Sequence, residues 1–180
     1  MSKVVWHITM SVDGFIAGRD DEMDWMGDYE LDSPVGREVL ENTGAILAGR
    51  RWHDLAIERW DGRHGIYGGE WEGPVFVLTH EPPADPPDPE ITFLTDGIEH
   101  AVDTVREAAG GRNVGILGAN TAQQAVEAGL VDEIVIHLVP LMLGDGIRLF
   151  GGPAAGRVKL ERTQVEASGD STDLRFRVIR

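Results

Sequence analysis

Cysteine is absent from the 180 residues, which excludes disulfides, thiolate catalysis and cysteine-based metal sites. Positive charge is scarce: 16 Lys and Arg stand against 31 Asp and Glu, a net charge of −15. Nucleic acids and anionic membranes are bound by neutralising phosphate, so a chain this acidic is a poor partner for either. Any anionic cofactor must then be held by local cations or backbone dipoles. No apolar run is long enough to span a bilayer, and the start from Met1 to Met10 is too short and too interrupted for a signal peptide. A cytoplasmic protein is expected. Internal repeats and low-complexity tracts are missing as well.

Glycine is what the chain has in excess: 23 residues, about 13% against a usual ~7%, which fits a turn-rich α/β chain better than a helical bundle. The length predicts one domain over residues 1–180. Its most informative stretch runs from Asn113 to Gly152. Val114 to Leu117 is an unbroken apolar run, the mark of a buried strand. Gly118 breaks it, and Ala119, Ala122 and Val126 follow at helical spacing until Gly129 supplies a left-handed cap. Glu133 to Val139 is the next strand. Strand, glycine turn, helix and strand make a βαβ unit, whose turn leaves backbone N–H groups at a positive helix end, suited to phosphate. The same junction also occurs in proteins that bind nothing there. Pro140, Gly144, Gly146, Gly151 and Gly152 then shape the tail of this stretch into a loop.

Elsewhere Val4 to Met10 reads as the first strand, ending in Ser11-Val12-Asp13-Gly14. An acidic loop, Arg19 to Asp28, follows; its Asp20, Asp21, Glu22 and Asp24 lack calcium-loop spacing, and Trp25 and Met26 interrupt it. Ser33-Pro34 starts a helix with apolar Val35, Val39 and Leu40, closed by Gly44. Ala45 to Ala48 is the next strand, running into Gly49-Arg50-Arg51-Trp52. Residues 58–74 read as an irregular surface loop. Val75 to Leu78 and Ile91 to Leu94 are strands on either side of a stiff, proline-rich connector, Glu81 to Glu90. Thr95-Asp96 caps a helix through Ile98, Ala101, Val102 and Val105. Val158 to Glu166 and Thr172 to Ile179 form an antiparallel hairpin in which Leu174, Phe176 and Val178 alternate with Asp173, Arg175 and Arg177. The predicted fold is α/β, a mainly parallel central sheet with helices on both faces and that hairpin at its end.

The six histidines (7, 53, 64, 80, 100 and 137) show no metal-ligand spacing on any one element, so no metal is expected. Nucleophile elbows and Walker loops are absent too. Three strand ends remain: Gly49-Arg50, Thr79-His80 and Gly118-Ala119-Asn120-Thr121. In a parallel sheet they fall along one edge, where ligands bind. Arg50 and Arg51 sit at a helix N-terminus, which is unfavourable for cations and favours an anionic partner.

The order of these motifs resembles the dihydrofolate reductase superfamily, and more closely its branch similar to the reductase domain of the riboflavin-pathway deaminase–reductase. The segments that carry the resemblance are Ser11 to Gly18, Gly49-Arg50, and the run from Gly118 through Gly129-Leu130-Val131-Asp132-Glu133 to Leu143-Gly144-Asp145-Gly146. It implies a dihydrofolate-reductase-like sheet, an NADPH site and a homodimer. The nicotinamide would lie against Thr9, Ser11, Ile16 and Ala17. Gly49 and Arg50 would approach phosphate, with Arg51 beside them by its place at the turn alone, Thr79 and His80 the 2′-phosphate side, and Gly118, Ala119, Asn120 and Thr121 the pyrophosphate; Asp145 matches the aspartate of the neighbouring loop. Two positions depart from the family pattern: Trp52 replaces a hydroxyl residue, and Ala119 replaces a glycine.

These features predict an NADPH-dependent reductase acting on a small pyrimidine- or pterin-like substrate. The candidate acids near the first helix are Asp28, Glu30 and Asp32, which read equally well as a solvated helix entrance. The alternative is a nucleotide-binding module without turnover, or one that takes a flavin; Trp52 and Ala119 favour it.

Overall fold

The computed structural model describes residues 2–151 and 156–180. Gly152, the last glycine of the central stretch, lies outside the described residues. The chain opens with β1 (Val4–Ser11) and the short β2 (Phe15–Ala17), followed by two 3₁₀ turns through the acidic loop. Then come α1 (Pro34–Asn42), β3 (Thr43–Gly49), α2 (Arg50–Arg59), β4 (Val75–Leu78), β5 (Ile91–Leu94) and α3 (Gly97–Ala108). The second half consists of β6 (Asn113–Leu117), α4 (Ala119–Glu127), β7 (Glu133–Val139), β8 (Ile147–Arg148), β9 (Lys159–Ser168) and β10 (Ser171–Ile179).

Eight strands form one sheet in the order β5-β4-β3-β6-β1-β7-β10-β9. The six strands from β5 to β7 run parallel, and β10 and β9 add the antiparallel hairpin. The parallel strands are mainly apolar because both faces are covered, with His7, Ser11 and His137 as the buried polar exceptions in β1 and β7. On one face Val4, Trp6, Ala45, Leu47, Val114 and Ile116 pack against α3 and α4 through Ala101, Val102, Val105, Ala122 and Ala125. On the other, Val5 and Val135 meet Val35 and Val39 of α1. Further along that face, Ile46, Ala48, Val75, Val77 and Ile91 pack with Trp52 of α2 and with Ile66 and Trp71. Each fully buried aliphatic side chain contributes about 1.5–3 kcal/mol relative to exposure, so these clusters hold the helices to the sheet. A separate pairing of β2 with β8 fastens the chain after β1 to the loop after β7.

Several expectations are corrected by packing. Gly44 does not close α1. The helix stops at Asn42, Thr43 caps it, and Gly44 lies inside β3. A Cβ at Gly44 would fall 2.3 Å from the Ala109 carbonyl oxygen, so glycine is needed there for close packing rather than for a turn. Residues 58–74 are not simply a surface loop, since Ile66 and Trp71 are buried in the second core and the Trp71 indole N–H donates to the Thr43 carbonyl at 3.0 Å. Asp96 sits at the N-cap of α3 without a side-chain cap bond. Ser33, by contrast, caps α1 as its sequence predicts, accepting the Gly36 N–H at 2.8 Å.

Candidate active site

The C-terminal ends of the parallel strands lie along one edge of the sheet. There the β3–α2 and β6–α4 turns are neighbours, because β3 and β6 pair through Ala48 and Leu117. A Cβ on Gly118 would come 3.7 Å from the Trp52 Cβ and 3.9 Å from the Gly49 nitrogen. One on Gly49 would come 2.6 Å from Thr121 Oγ1. Gly118 has φ +92°, a conformation L-residues rarely adopt. Neither α2 nor α4 receives a side-chain cap bond, so two helix N-termini with open N–H groups stand side by side.

The other predicted residues along this edge have partners of their own. Arg50 donates from Nε to both Asp54 oxygens (2.7 and 2.9 Å) and from Nη1 to the Glu81 carbonyl (2.7 Å). Arg51 reaches across to Asp21 at 2.7 Å and pins the acidic loop. Thr79 Oγ1 accepts the Glu81 N–H at 3.2 Å, and His80 is exposed beside it. Asn120 accepts from Gln124 on the same helix. Ser11 is buried, donates to Asp13 at 2.6 Å and accepts the Phe15 N–H at 3.0 Å. Asp13 in turn accepts the Leu143 and Gly144 N–H groups, tying the turn after β1 to the loop after β7. Ile16 and Ala17 are buried in β2. Asp145 is exposed and bonds Arg19 at 2.8 Å; the Gly146 N–H, then Arg19, hold its carboxyl below the usual range. Thr9 is half-buried on the face of β1 that carries Val5 and His7.

The three candidate acids are exposed and do not converge. Asp32 pairs with Arg37, the Glu30 backbone is bound to Asp170 of the β9–β10 turn, and Asp28 ends a 3₁₀ turn. The carboxylate that the fold does bury near the start of α1 is Asp173 of β10, with no exposed surface. Its Oδ1 accepts from His137 Nδ1 at 2.6 Å and from Ser171 at 3.0 Å. His137 Nε2 lies 2.6 Å from His7 Nε2, and His7 Nδ1 lies 3.2 Å from the Tyr67 hydroxyl. Four polar groups from β10, β7, β1 and the segment after α2 thus form one row across the sheet, and α1 covers part of it. A Cβ on Gly36 of α1 would stand 3.5 Å from the His137 ring. No single-strand spacing shows this row. Its one local signal is His7 and His137 standing in the middle of mainly apolar strands.

Burial, and then the neighbouring His137, lowers His7 to about 3, so it is neutral at physiological pH. Burial alone would raise Asp173, but the bond from His137, with Ser33 and Ser171 beside it, holds the carboxyl below its ordinary value. Tyr67 is raised by burial and stays protonated. Among the described residues, no cluster of three metal-binding side chains is found. No described helix is long and apolar enough to cross a membrane. A hollow of about 840 Å³ lies at the opposite end of the strands, and its charges are already paired: Lys3 with Glu133, Arg106 and Arg180 with Asp132, and Arg175 and Arg177 with Glu38 and Glu161 outside it.

Comparison with known proteins agrees with this architecture. The putative riboflavin biosynthesis protein of Shewanella sp. PV-4 superposes with a TM-score of 0.82 at 23% identity, each chain covered in full (100%). The diaminohydroxyphosphoribosylaminopyrimidine deaminase/5-amino-6-(5-phosphoribosylamino)uracil reductase of Thermotoga maritima gives a TM-score of 0.66 at 15% identity, over 99% of this chain and 57% of that one. In sequence, the uncharacterized protein YwjB of Bacillus subtilis (strain 168) is 25% identical over 150 residues, 82% of either chain. Residues 2–174 match the family model described as the RibD C-terminal domain, and the chain belongs to that family.

Proposed function

We propose that the protein is a reductase that binds NADPH along the C-terminal edge of its parallel strands. Its substrate would be a small pyrimidine-like heterocycle, on the sheet face that carries Thr9 and His7 and that α1 and α2 share. The observation that carries this reading is the pair of uncapped helix N-termini at Gly49 and Gly118. Two adjacent N-termini offer several N–H donors and two positive dipole ends to one diphosphate. Membership of the RibD C-terminal domain family supports the same reaction class.

The residues fit such a dinucleotide. Ala119, one of the two departures from the family pattern, packs against the main core, and Trp52, the other, packs against the second. Neither side chain is thereby spent on the phosphate turn. When bound, the cofactor supplies a hydride. The chain itself holds the phosphates at the two helix ends, with the arginine side chains braced by Asp54, Glu81 and Asp21. It presents Thr9 and the buried polar row on the face where a substrate would lie.

The test is a titration of NADPH, NADH and FMN followed by tryptophan fluorescence, with Gly118→Val as the control variant. NADPH is expected to bind most tightly and to lose at least tenfold in affinity in the variant, because a side chain at φ +92° forces the turn open. Equal, weak quenching by all three ligands in both proteins would refute the site.

A further inference from the structure

We propose that Asp173, His137, His7 and Tyr67 form a proton wire, and that the Tyr67 hydroxyl at its open end is the acid that protonates the substrate. This rests on the reductase reading above, since reducing a C=O or C=N bond requires a proton as well as a hydride.

Hydrogen-bond logic leaves the row two ordered states. The Asp173 carboxylate fixes a proton on His137 Nδ1 in both. In the unloaded state His137 Nε2 is a lone pair, so the proton between the two Nε2 atoms belongs to His7. His7 Nδ1 is then an acceptor, and the Tyr67 hydroxyl donates inward. In the loaded state His137 carries both of its protons beside Asp173. His7 Nε2 becomes the acceptor, His7 Nδ1–H donates to the Tyr67 oxygen, and the Tyr67 hydroxyl turns outward. The two states differ by one proton, and the difference is expressed at the tyrosine.

Burial identifies the ends. His7, His137 and Asp173 are buried, whereas Tyr67 is half-buried. Asp173 Oδ2 has no hydrogen-bond partner among the described residues, which makes the carboxylate the closed terminus. Tyr67 is held with φ +52°, followed by Gly68 and Gly69 also at positive φ. A side chain forced into the left-handed region is a strain that packing must overcome, and such strain gathers at functional sites. Here it brings the hydroxyl over bare sheet at Gly115. The charged groups facing the row are Asp173 and Arg175 of β10, Arg175 being paired with both oxygens of Glu38 of α1. Thr9, Val5 and Val135 flank it without charge. The low basicity of His7 keeps the added proton at His137, beside the carboxylate, so His7 changes tautomer without becoming charged.

The step balances. A hydride from the reduced nicotinamide dinucleotide adds to the substrate carbon, and the π electrons move to the oxygen or nitrogen. That atom takes the Tyr67 hydroxyl proton. The tyrosine oxygen takes the proton from His7 Nδ1, and His7 Nε2 takes the proton from His137 Nε2. His137 is left neutral and bonded to Asp173, and one proton from water reloads the wire. Tyr67 is the catalytic acid; His7, His137 and Asp173 are positioning residues.

The test has two arms. In ¹⁵N-histidine-labelled protein without cofactor, long-range ¹H–¹⁵N spectra across pH should show His7 neutral throughout. Its proton should move from Nε2 to Nδ1 as the row takes up its added proton, and Asp173→Asn should disturb that switch. A His7 that keeps one tautomer, or that becomes imidazolium itself in an ordinary titration, overturns the wire. In the second arm, NADPH oxidation is followed with 5-amino-6-(5-phosphoribosylamino)uracil, the substrate in the name of the Thermotoga maritima protein. Tyr67→Phe should lower kcat by about 100-fold, the usual worth of a general acid, with NADPH affinity unchanged. Full turnover by Tyr67→Phe overturns the donor role. A wild type that binds no NADPH overturns the reductase reading instead, and the tautomer measurement still decides the wire.

Discussion

The buried His7 makes stability depend on pH in a way that can be worked out in advance. In the unfolded chain it takes up a proton near 6.5; in the fold, burial first and His137 second hold it neutral down to about 3. Between those values the unfolded state binds more protons, so stability falls as pH falls. With these two values the loss from His7 alone is about 2 kcal/mol between pH 7 and pH 5, approaching 1.4 kcal/mol per further pH unit. Asp173 acts lower. Its depressed carboxyl contributes stability above the unfolded value of about 4, and that contribution is lost only as pH falls through the folded one. Of these two groups, only His7 therefore acts between pH 7 and pH 5. The assay is urea unfolding of wild type and His7→Gln at pH 7, 6 and 5. For an m-value of about 2 kcal/mol/M, the wild-type midpoint should fall about 1 M further than the variant's over that range. The absolute stabilities will differ because the variant disturbs the row; the comparison is of slopes. Parallel slopes would refute the claim that native His7 is neutral.

Two substitutions test the packing corrections. Gly44→Ala places a methyl 2.3 Å from the Ala109 carbonyl oxygen and 2.7 Å from the Arg112 Cβ. It should cost about 2–3 kcal/mol in chemical denaturation, the range for forced overpacking, whereas a mere helix-closing glycine would lose far less. Trp71→Ala removes an indole that is only 6% exposed and its bond to Thr43. It should cost about 3–5 kcal/mol by the same assay, and a loss under about 1 kcal/mol would return residues 58–74 to the status of a surface loop.

The fold was legible because its strands announce themselves one at a time. Val114 to Leu117 is apolar on both faces, as a covered parallel strand requires, and Glu133 to Val139 is so apart from Glu133 and His137. Gly118 and Gly129 mark helix ends by positive φ, and the structure gives +92° and +68°. Gly44 shows where that logic stops. A glycine is needed either for its backbone angle or for a neighbour's approach, and here the neighbour, Ala109, is more than sixty residues away in sequence. The stretch from 58 to 74 misleads for a related reason. Its glycines and charges read as solvent, but Ile66 and Trp71 are anchored by strands that the stretch itself does not contain.

The buried polar row was illegible for a reason that applies beyond this chain. The alternation in β10 is read correctly: Leu174, Phe176 and Val178 line the main core, and Asp173, Arg175 and Arg177 take the other face. What alternation cannot supply is whether that other face meets water. Here α1 lies across its beginning but not its end, so Asp173 is fully buried, Arg175 partly covered and Arg177 exposed. A period of two assigns sides, while burial is assigned by whichever element packs on top. His7 and His137 stand in different strands that touch only through β1–β7 pairing, and β10 joins them only because the chain returns antiparallel after some thirty residues. Each member alone is an ordinary polar residue. Their chemistry arises from the register of three strands and the reach of Tyr67, whereas the acids that the family resemblance suggests near the first helix, Asp28, Glu30 and Asp32, lie at the surface. The carboxylate beneath that helix comes from the far end of the chain.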